Sequence, residues 1–528
     1  MSDTDLVAAW DARVAAAPDR PALAYFDTVL TAAEVDRLSD EVAAAYATLG
    51  VEAGSHVGVH LQNVPWFPLS MLALWKLGAA AVLLNPMYRG EELRALVEDA
   101  GAVGVVTDLA EVGRTREALA GPDAPWVVGA SSRDLQTRDD PRVLGDDPAP
   151  ERDPSGADDL AALVRAQAGA PVDHAVPGGD AVAMLCFTSG TTGRAKGAMN
   201  THAGVLAVCR SYAAWTGLGP GGVCFATAPL FHITGAVINA TIALVHDATL
   251  VLAHRFAPAV ALDAFAEHGV TTTIGSITAF SAMLEVPDPP AGAFASMTAL
   301  YSGGAPIPPS VVERFEDRFG VYVHNAYGMT ETCSGVIAVP LGERAPVDPA
   351  SGTLSVGKPL PGMTLRVLGA DGEPVAPGEQ GELEMSGPQV VPGYWRRPDA
   401  TEETMPGGRL RSGDVAVVDD EGWVYLVDRL KDQINVSGYK VWPREVEDAL
   451  HTHPAVREAA VVGRPDDYQG ESVVAYVALV GGGEATPEEL RETVRGRLAA
   501  YKVPKEVHVV EDLPKTQTGK IRRAALRD

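Results

Sequence analysis

The sequence predicts an α/β protein: a large N-terminal body over residues 1–427 and a small α+β C-terminal domain over residues 428–528. Three observations predict it. Helical and strand-like apolar patterns alternate up to about residue 120 and again from Ala181 to about residue 340. That alternation marks crossover units on a mostly parallel sheet. From there to Val427 the chain is rich in strand-like runs and turns, and at Asp428 a smaller mixture of helix and strand begins. With 46% hydrophobic and 21% charged residues over 528 positions, the chain is globular in composition and long enough for a sizeable core.

The elements follow in order. Between Arg37 and Gly50, Leu38, Val42, Ala45, Tyr46 and Leu49 recur at helical spacing, and a short apolar strand follows at His56–Gln62. The helix pattern Trp66–Gly78 leads into the strand Ala80–Pro86, and Glu92–Gly101 into Ala102–Thr107. Residues 131–180 are dominated by Asp, Pro, Gly and Ser, which predicts surface loop with one short helix at Asp158–Gln167. Ala181–Phe187 reads as a buried strand. Thr364–Gly369, Gly381–Gly387 and Val415–Val427 supply the β-rich texture. In the C-terminal domain, Pro443–Leu450 is a helix with proline at its first turn, where the missing N–H costs nothing. Strands at Ala459–Gly463 and Val473–Val480 follow, and Thr486-Pro-Glu-Glu489 opens a further helix as a capping box. Internal repeats and heptads are absent from the sequence.

Charge and cysteine usage exclude whole classes of function. The balance of 42 basic and 69 acidic residues, −27, argues against a nucleic-acid groove or an anionic membrane surface as the main partner. Cys186, Cys209, Cys224 and Cys333 form no CxxC pair and no metal-ligand spacing, which fits a reducing compartment. The N-terminus lacks the basic-then-apolar order of a signal peptide, and AALRD at the C-terminus is no peroxisomal signal. Lys76 interrupts Met71–Leu84, and His246 with Asp247 interrupt Ala236–Ala253, so neither window is a clean membrane span. A cytoplasmic protein without integral membrane association is expected.

One segment carries a strong chemical signal. Phe187-Thr-Ser-Gly-Thr-Thr-Gly-Arg-Ala-Lys-Gly197 directly follows the buried strand. Its glycines let backbone N–H groups turn inward as an anion-binding nest, its hydroxyls add donors, and Lys196 adds a point charge suited to phosphate. It is not a Walker A loop, because glycine rather than Ser or Thr follows the lysine. Five other segments carry weaker signals. Tyr327-Gly-Met-Thr-Glu331 offers an aromatic face, a hydroxyl and a carboxylate after the strand pattern VYVHNA. Ser302-Gly-Gly-Ala305 permits close backbone approach. Ser412-Gly-Asp414 could bond ribose hydroxyls. Asp428–Gly438 mixes charge with an apolar run, and Pro514–Arg523 is a basic stretch with a Thr-Gly-Lys turn. Taken singly, each is equally an ordinary turn, an ion-paired surface or a cationic tail.

Together and in this order, the segments resemble the adenylate-forming superfamily: acyl-CoA synthetases, peptide-synthetase adenylation domains and firefly luciferase. The likeness runs from about residue 10 to 528. Asp428–Val456 and Tyr501–Arg523 are most similar to bacterial fatty-acyl-CoA synthetases. The resemblance implies a body of αβαβα layers plus a small β-rich subdomain, and a C-terminal lid. It implies a carboxylic acid–CoA ligase using ATP, Mg²⁺ and coenzyme A. The acid's carboxylate attacks the α-phosphorus, pyrophosphate leaves, and the CoA thiol then displaces AMP from the acyl-adenylate.

The resemblance also implies roles. Thr188, Ser189, Gly190, Thr191, Thr192, Gly193 and Lys196 would wrap the β- and γ-phosphates, with Thr188 and Glu331 near Mg²⁺. Gly303, Gly304, Ala305, Asn325, Ala326, Tyr327, Gly328 and Met329 would shape the adenine slot, and Thr330 would hold the α-phosphate. Asp414 and Arg429 would bind ribose. Lys520 would stabilise the charge that develops during adenylation. Lys431 would be the hinge of a lid rotation that brings Ser437, Gly438, Tyr439 and Lys440 to CoA. His232 would sit beside the acyl carboxylate, with Gly235, Ala236, Asn239, Ser276 and Phe280 in the acyl pocket. A satisfied core histidine is the other reading of His232. The pattern departs from the family in having Ala195 where proline is usual and Ser412 where threonine is usual. The candidate acyl segments are mostly apolar, which favours a fatty or aryl acid over an amino acid. Carrier-protein loading and a non-catalytic nucleotide-binding relative are the competing readings. The expected partners are small molecules, and the expected assembly is a monomer or homodimer.

Overall fold

The computed structural model describes residues 5–145, 152, 155–170, 172–188, 195–305, 307–349, 353–429, 432–436, 439–466, 469–516 and 521–527. Among them, four sheets organise the chain. A six-stranded sheet runs in the order Trp126–Ala130, Gly104–Asp108, His56–His60, Ala80–Leu83, Val182–Thr188, Lys196–Thr201, parallel except for the last pair. A nine-stranded sheet has the parallel order His324–Met329, Ala299–Gly303, Thr272–Gly275, Val223–Phe225, Thr249–Leu252, Pro21–Tyr25, with antiparallel strands at both edges. Strands such as His56–His60 and Ala80–Leu83 are buried along their whole length. That is why they read as continuous apolar runs rather than alternating ones.

Helices fill three layers around these two sheets. His202–Thr216 packs against strands of both sheets. Helix Trp66–Lys76, buried at every position, lies in the same shared core. Leu93, Leu96 and Val97 of Gly90–Ala100 cover the outer face of the six-stranded sheet with Val82, Val105 and Leu185. On the outer side of the nine-stranded sheet, Phe265, Phe280, Phe294 and Phe315 meet edge-on. The αβαβα layering expected from the resemblance is the architecture observed.

A four-stranded antiparallel sheet, Thr364–Leu368, Gly381–Ser386, Leu410–Val418 and Val424–Arg429, follows. The next sheet runs in the order Tyr439–Val441, Ile434–Val436, Gly470–Leu479, Val456–Asp466, with Glu506–Val510 also paired to Gly470–Leu479. It has its own core of Val446, Leu450, Val461, Val477, Leu490 and Val494 under helices Pro443–His451 and Pro487–Arg495. Thr486 and Glu489 form the predicted capping box.

Several elements differ from the sequence reading. The helix read from Arg37 begins five residues earlier, at Ala32, because Thr31 and Glu34 close a capping box there. The loop-rich stretch carries two short helices, Pro141–Leu144 and Leu160–Ala166, the first with proline at its first turn. Tyr327, Gly328 and Met329 lie within strand His324–Met329 instead of after it, and the turn starts at Thr330. Lys76, which breaks the apolar window, is 1% exposed and caged by Asp36 Oδ1 at 2.7 Å, Asp40 Oδ1 at 2.5 Å and Ser39 Oγ at 2.8 Å. Among the described residues, no helix is long and apolar enough to cross a membrane.

Candidate active site

The candidate residues gather at the carboxyl ends of the parallel strands, where open α/β sheets bind ligands. Thr188 ends one strand and pairs with Lys196 on the next; its Oγ1 donates to the Lys196 carbonyl at 3.4 Å. This pair closes the base of the hydroxyl-rich loop, whose Ser189, Gly190, Thr191, Thr192 and Gly193 lie outside the described residues. Behind it, Cys186 is fully buried, and burial pushes its thiol up to about 12, so it stays protonated; it contacts Ile233 and Thr330.

A strip that the sequence reading passed over completes this wall. Gly393-Tyr394-Trp395 lies antiparallel to Lys196–Thr201, with Met199 N donating to Gly393 O at 3.1 Å and Trp395 N to Gly197 O at 2.8 Å. Gly393 has φ +152°, and a Cβ there would fall 2.5 Å from the Thr401 side chain. The strip seats Tyr394, 5% exposed, with the Lys196 ammonium 5.1 Å from its ring centroid. The Tyr394 hydroxyl donates to Glu331 Oε1 at 2.6 Å, and burial together with this carboxylate raises the phenol's pKa. Glu331 is 6% exposed on the turn Thr330–Thr332. The next two residues, Cys333 and Ser334, take φ of +51° and +112°. Such backbone is costly for non-glycine residues and clusters at functional sites. Thr332 Oγ1 braces the turn, accepting from Met329 N at 3.0 Å and lying 2.6 Å from the Ser334 carbonyl. A Cβ on Gly328 would sit 1.9 Å from that carbonyl, so only glycine fits.

The candidate nucleotide side is built from four strands. Ser302 pairs with Asn325 and Gly303 with Ala326; a Cβ on Gly303 would lie 2.9 Å from the Ala326 carbonyl. Gly304 is exposed, with φ +80°, a backbone conformation that favours glycine. Ala305 follows it, half-buried. Asn325 is buried and donates to Ser355 O at 3.1 Å, so its amide shapes the wall from behind. Tyr327 donates to Asp414 Oδ2 at 2.6 Å. Asp414 is 8% exposed and opposite Arg429 in the antiparallel pair. Ser412 supports it: its Oγ accepts from Asp414 N at 3.1 Å and donates to Leu383 O at 2.7 Å.

The candidate acyl residues lie on two segments, His232–Asn239 and Ser276–Phe280. His232 follows the turn at Pro229, and its Nδ1 accepts from Thr234 N–H at 3.3 Å. Gly235–Thr241 is a π-helix, a form common at functional sites. A Cβ on Gly235 would fall 2.1 Å from the Pro229 carbonyl. Ala236 and Asn239 are fully buried, and Asn239 Nδ2 donates to Phe225 O at 3.2 Å. Ser276, half-buried, caps helix Ile277–Leu284. Phe280 is fully buried, with its ring edge-on to Phe315 at 5.8 Å, inside the packed layer.

In the C-terminal domain, Lys431, Ser437, Gly438 and Lys520 lie outside the described residues. Tyr439, 60% exposed, stacks on Tyr501 at 4.8 Å, and Lys440 pairs through its backbone with Asn435. The structure thus joins Lys196 to Glu331 through Tyr394, and Tyr327 to Asp414. The residue missed was Tyr394. Its signal was a Gly-aromatic-aromatic triplet in a stretch rich in turns.

Residues 10–395 match the AMP-binding enzyme family, and residues 445–520 match the AMP-binding enzyme C-terminal domain. The chain belongs to the AMP-binding enzyme family. It is 35% identical to a feruloyl-CoA synthase from Amycolatopsis sp, over 98% of this chain and 97% of that one. It is 34% identical to a long-chain-fatty-acid–CoA ligase from Escherichia coli O6:H1, over 99% of this chain and 94% of that one. In structure it is similar to ATP-bound MatB from Rhodopseudomonas palustris, with TM-score 0.87, 26% identity and coverage of 99% and 98% of the two chains. Apo MatB from the same organism gives a TM-score of 0.77 at 27% identity, with the same coverage. Membership makes the chain an ATP-dependent, AMP-forming enzyme.

Proposed function

We propose that this AMP-forming acid–CoA ligase activates an apolar acid, aryl or fatty, and transfers it to coenzyme A. The observation that carries the reading is the convergence of Lys196 and Glu331 on Tyr394, with Glu331 on the turn that directly follows the strand of Tyr327, the partner of Asp414. A phosphate-seeking cation and a carboxylate held on one ring, next to an aromatic face bonded to a second buried carboxylate, suit a nucleoside triphosphate. Lys196 and Thr188 hold the β- and γ-phosphates in this reading, Tyr327 backs the base, and Asp414 with Arg429 accepts the ribose. Adenylation asks mainly for positioning and charge neutralisation. The carboxylate oxygen bonds to the α-phosphorus as the bond to pyrophosphate breaks, and Lys520 meets the growing charge. The C-terminal domain, residues 428–528, then turns about Lys431 over the body, residues 1–427. Ser437–Lys440 enters, and the CoA thiol adds to the acyl carbon as AMP leaves.

Among the described residues no group of three or more His, Cys, Asp or Glu converges as a metal cage. One carboxylate oxygen near threonine hydroxyls is the sparse, hard-oxygen set that suits Mg²⁺ when phosphates and water complete its shell. Thr188 and Glu331 would hold Mg²⁺, which supplies charge neutralisation on the phosphates. The four free, buried cysteines support a reducing, cytoplasmic setting.

A panel of carboxylic acids, read by pyrophosphate release with and without CoA, tests the assignment. Continuous release is expected only with CoA, and fastest with an apolar acid. Continuous release without CoA, or an amino acid as the best substrate, would contradict it.

A further inference from the structure

We infer that Tyr394 is a positioning residue that couples the phosphate-loop lysine to the carboxylate across the site. The inference rests on the reading of Lys196 as a phosphate residue and Glu331 as the Mg²⁺ carboxylate. Tyr394 touches both, by two different faces of one side chain. Its ring face lies 5.1 Å beneath the Lys196 ammonium, and its hydroxyl donates to Glu331 Oε1 at 2.6 Å.

The ring itself cannot swing. Tyr394 is 5% exposed, bridges Ala198 on the lysine's own strand, and donates its backbone N–H to Thr401 Oγ1 at 2.9 Å. Val391 N, three residues before it, donates to the Glu331 carbonyl at 2.9 Å, so the same segment also grips the carboxylate's backbone. One strip of chain thus sets the distance between the two charged groups.

Two physical consequences follow. The phenol occupies one oxygen of Glu331, which fixes the carboxylate's rotation and leaves the other oxygen to meet a cation. A cation over the ring face also draws π density and strengthens the O–H as a donor, so the two charges support each other through the ring. Phenylalanine would keep the first contact and lose the second. Leucine would lose both.

Equilibrium binding of a fluorescent ATP analogue, with and without Mg²⁺, tests this in Tyr394→Phe, Tyr394→Leu, Glu331→Gln and the Glu331→Gln/Tyr394→Phe double variant. In Tyr394→Phe the metal-free affinity is expected to stay within about twofold of wild type, while the strengthening by Mg²⁺ falls about tenfold, the scale of one hydrogen bond to a charged group. Tyr394→Leu is expected to lose a further about threefold in metal-free affinity. In the Glu331→Gln background, Tyr394→Phe is expected to change nothing more, which a merely structural tyrosine would not satisfy. Wild-type-like Mg²⁺ strengthening in Tyr394→Phe, or additive losses in the double variant, would overturn the coupling while leaving the site assignment intact. If Mg²⁺ strengthens binding equally in wild type and Glu331→Gln, the assignment of Glu331 fails and the coupling fails with it.

Discussion

At the residue scale, the site is shaped by positions where a side chain is forbidden as much as by those that carry charge. Gly235 opens the π-helix beside His232, and any Cβ there would lie 2.1 Å from the Pro229 carbonyl and 2.7 Å from that of Ala228. Both obstacles are backbone, so they cannot rotate aside. Gly235→Ala is therefore expected to destabilise the protein by about 1–3 kcal/mol, the range for forced overpacking. Urea unfolding measures this, and stability within about 0.5 kcal/mol of wild type would refute the close approach. This requirement was not legible in the sequence. Gly235 stood out there only as part of an apolar run, and a π-helix has no residue pattern that distinguishes it from an α-helix. Asn239 and Phe280 illustrate the same limit. The resemblance placed both at the acyl pocket, and their residue types did not show that Asn239 is tied to the Phe225 carbonyl or that Phe280 packs on Phe315.

At the scale of elements, a polar cluster fastens the segment before the phosphate-loop strand to the N-terminal helices. His174 lies with Nε2 2.9 Å from Asp40 Oδ1 and Nδ1 3.4 Å from Asp11 Oδ1, and Asp40 also meets buried Lys76. The hydrogen bonds to Asp11 and Asp40 raise the His174 pKa from 6.5 to about 9, against burial and the Lys76 charge. A folded pKa above the unfolded one means that the stability contribution is full below pH 6.5 and is lost as pH rises through about 9. Allowing for partial exposure, it is worth about 1–2 kcal/mol. His174→Gln should lower stability at pH 6, and the gap from wild type should close above pH 9. A gap that is the same at both would contradict the charged bridge. Lys76 was visible in the sequence as an interruption of an apolar window, but its three partners on helix Ala32–Thr48 were not. The strands and most helices were legible because burial on parallel sheets and capping boxes leave periodic or local signatures. The Thr31–Glu34 cap was equally local, and the apolar spacing downstream drew the helix start too late.

At the scale of the whole molecule, an acidic chain of net charge −27 handles polyanionic substrates. A net charge of that sign disfavours nucleic acid and anionic membranes as partners. In the proposed mechanism, Lys196, Arg429, Lys431, Lys440 and Lys520 would supply the opposing charge. The order of the motifs along the chain made the two-part architecture readable. The contact between Tyr394 and Glu331 was not, because residues 63 positions apart meet only when the strip Gly393–Trp395 docks on the lysine's strand. The central claim, that one site serves two half-reactions with Lys520 acting in the first alone, has a direct measurement. In Lys520→Ala, adenylation and thioester formation from supplied acyl-adenylate are assayed separately. Adenylation is expected to fall by at least ~10²-fold, the cost of one charge contact in the transition state, with thioester formation little changed. An equal loss in both steps would contradict the account.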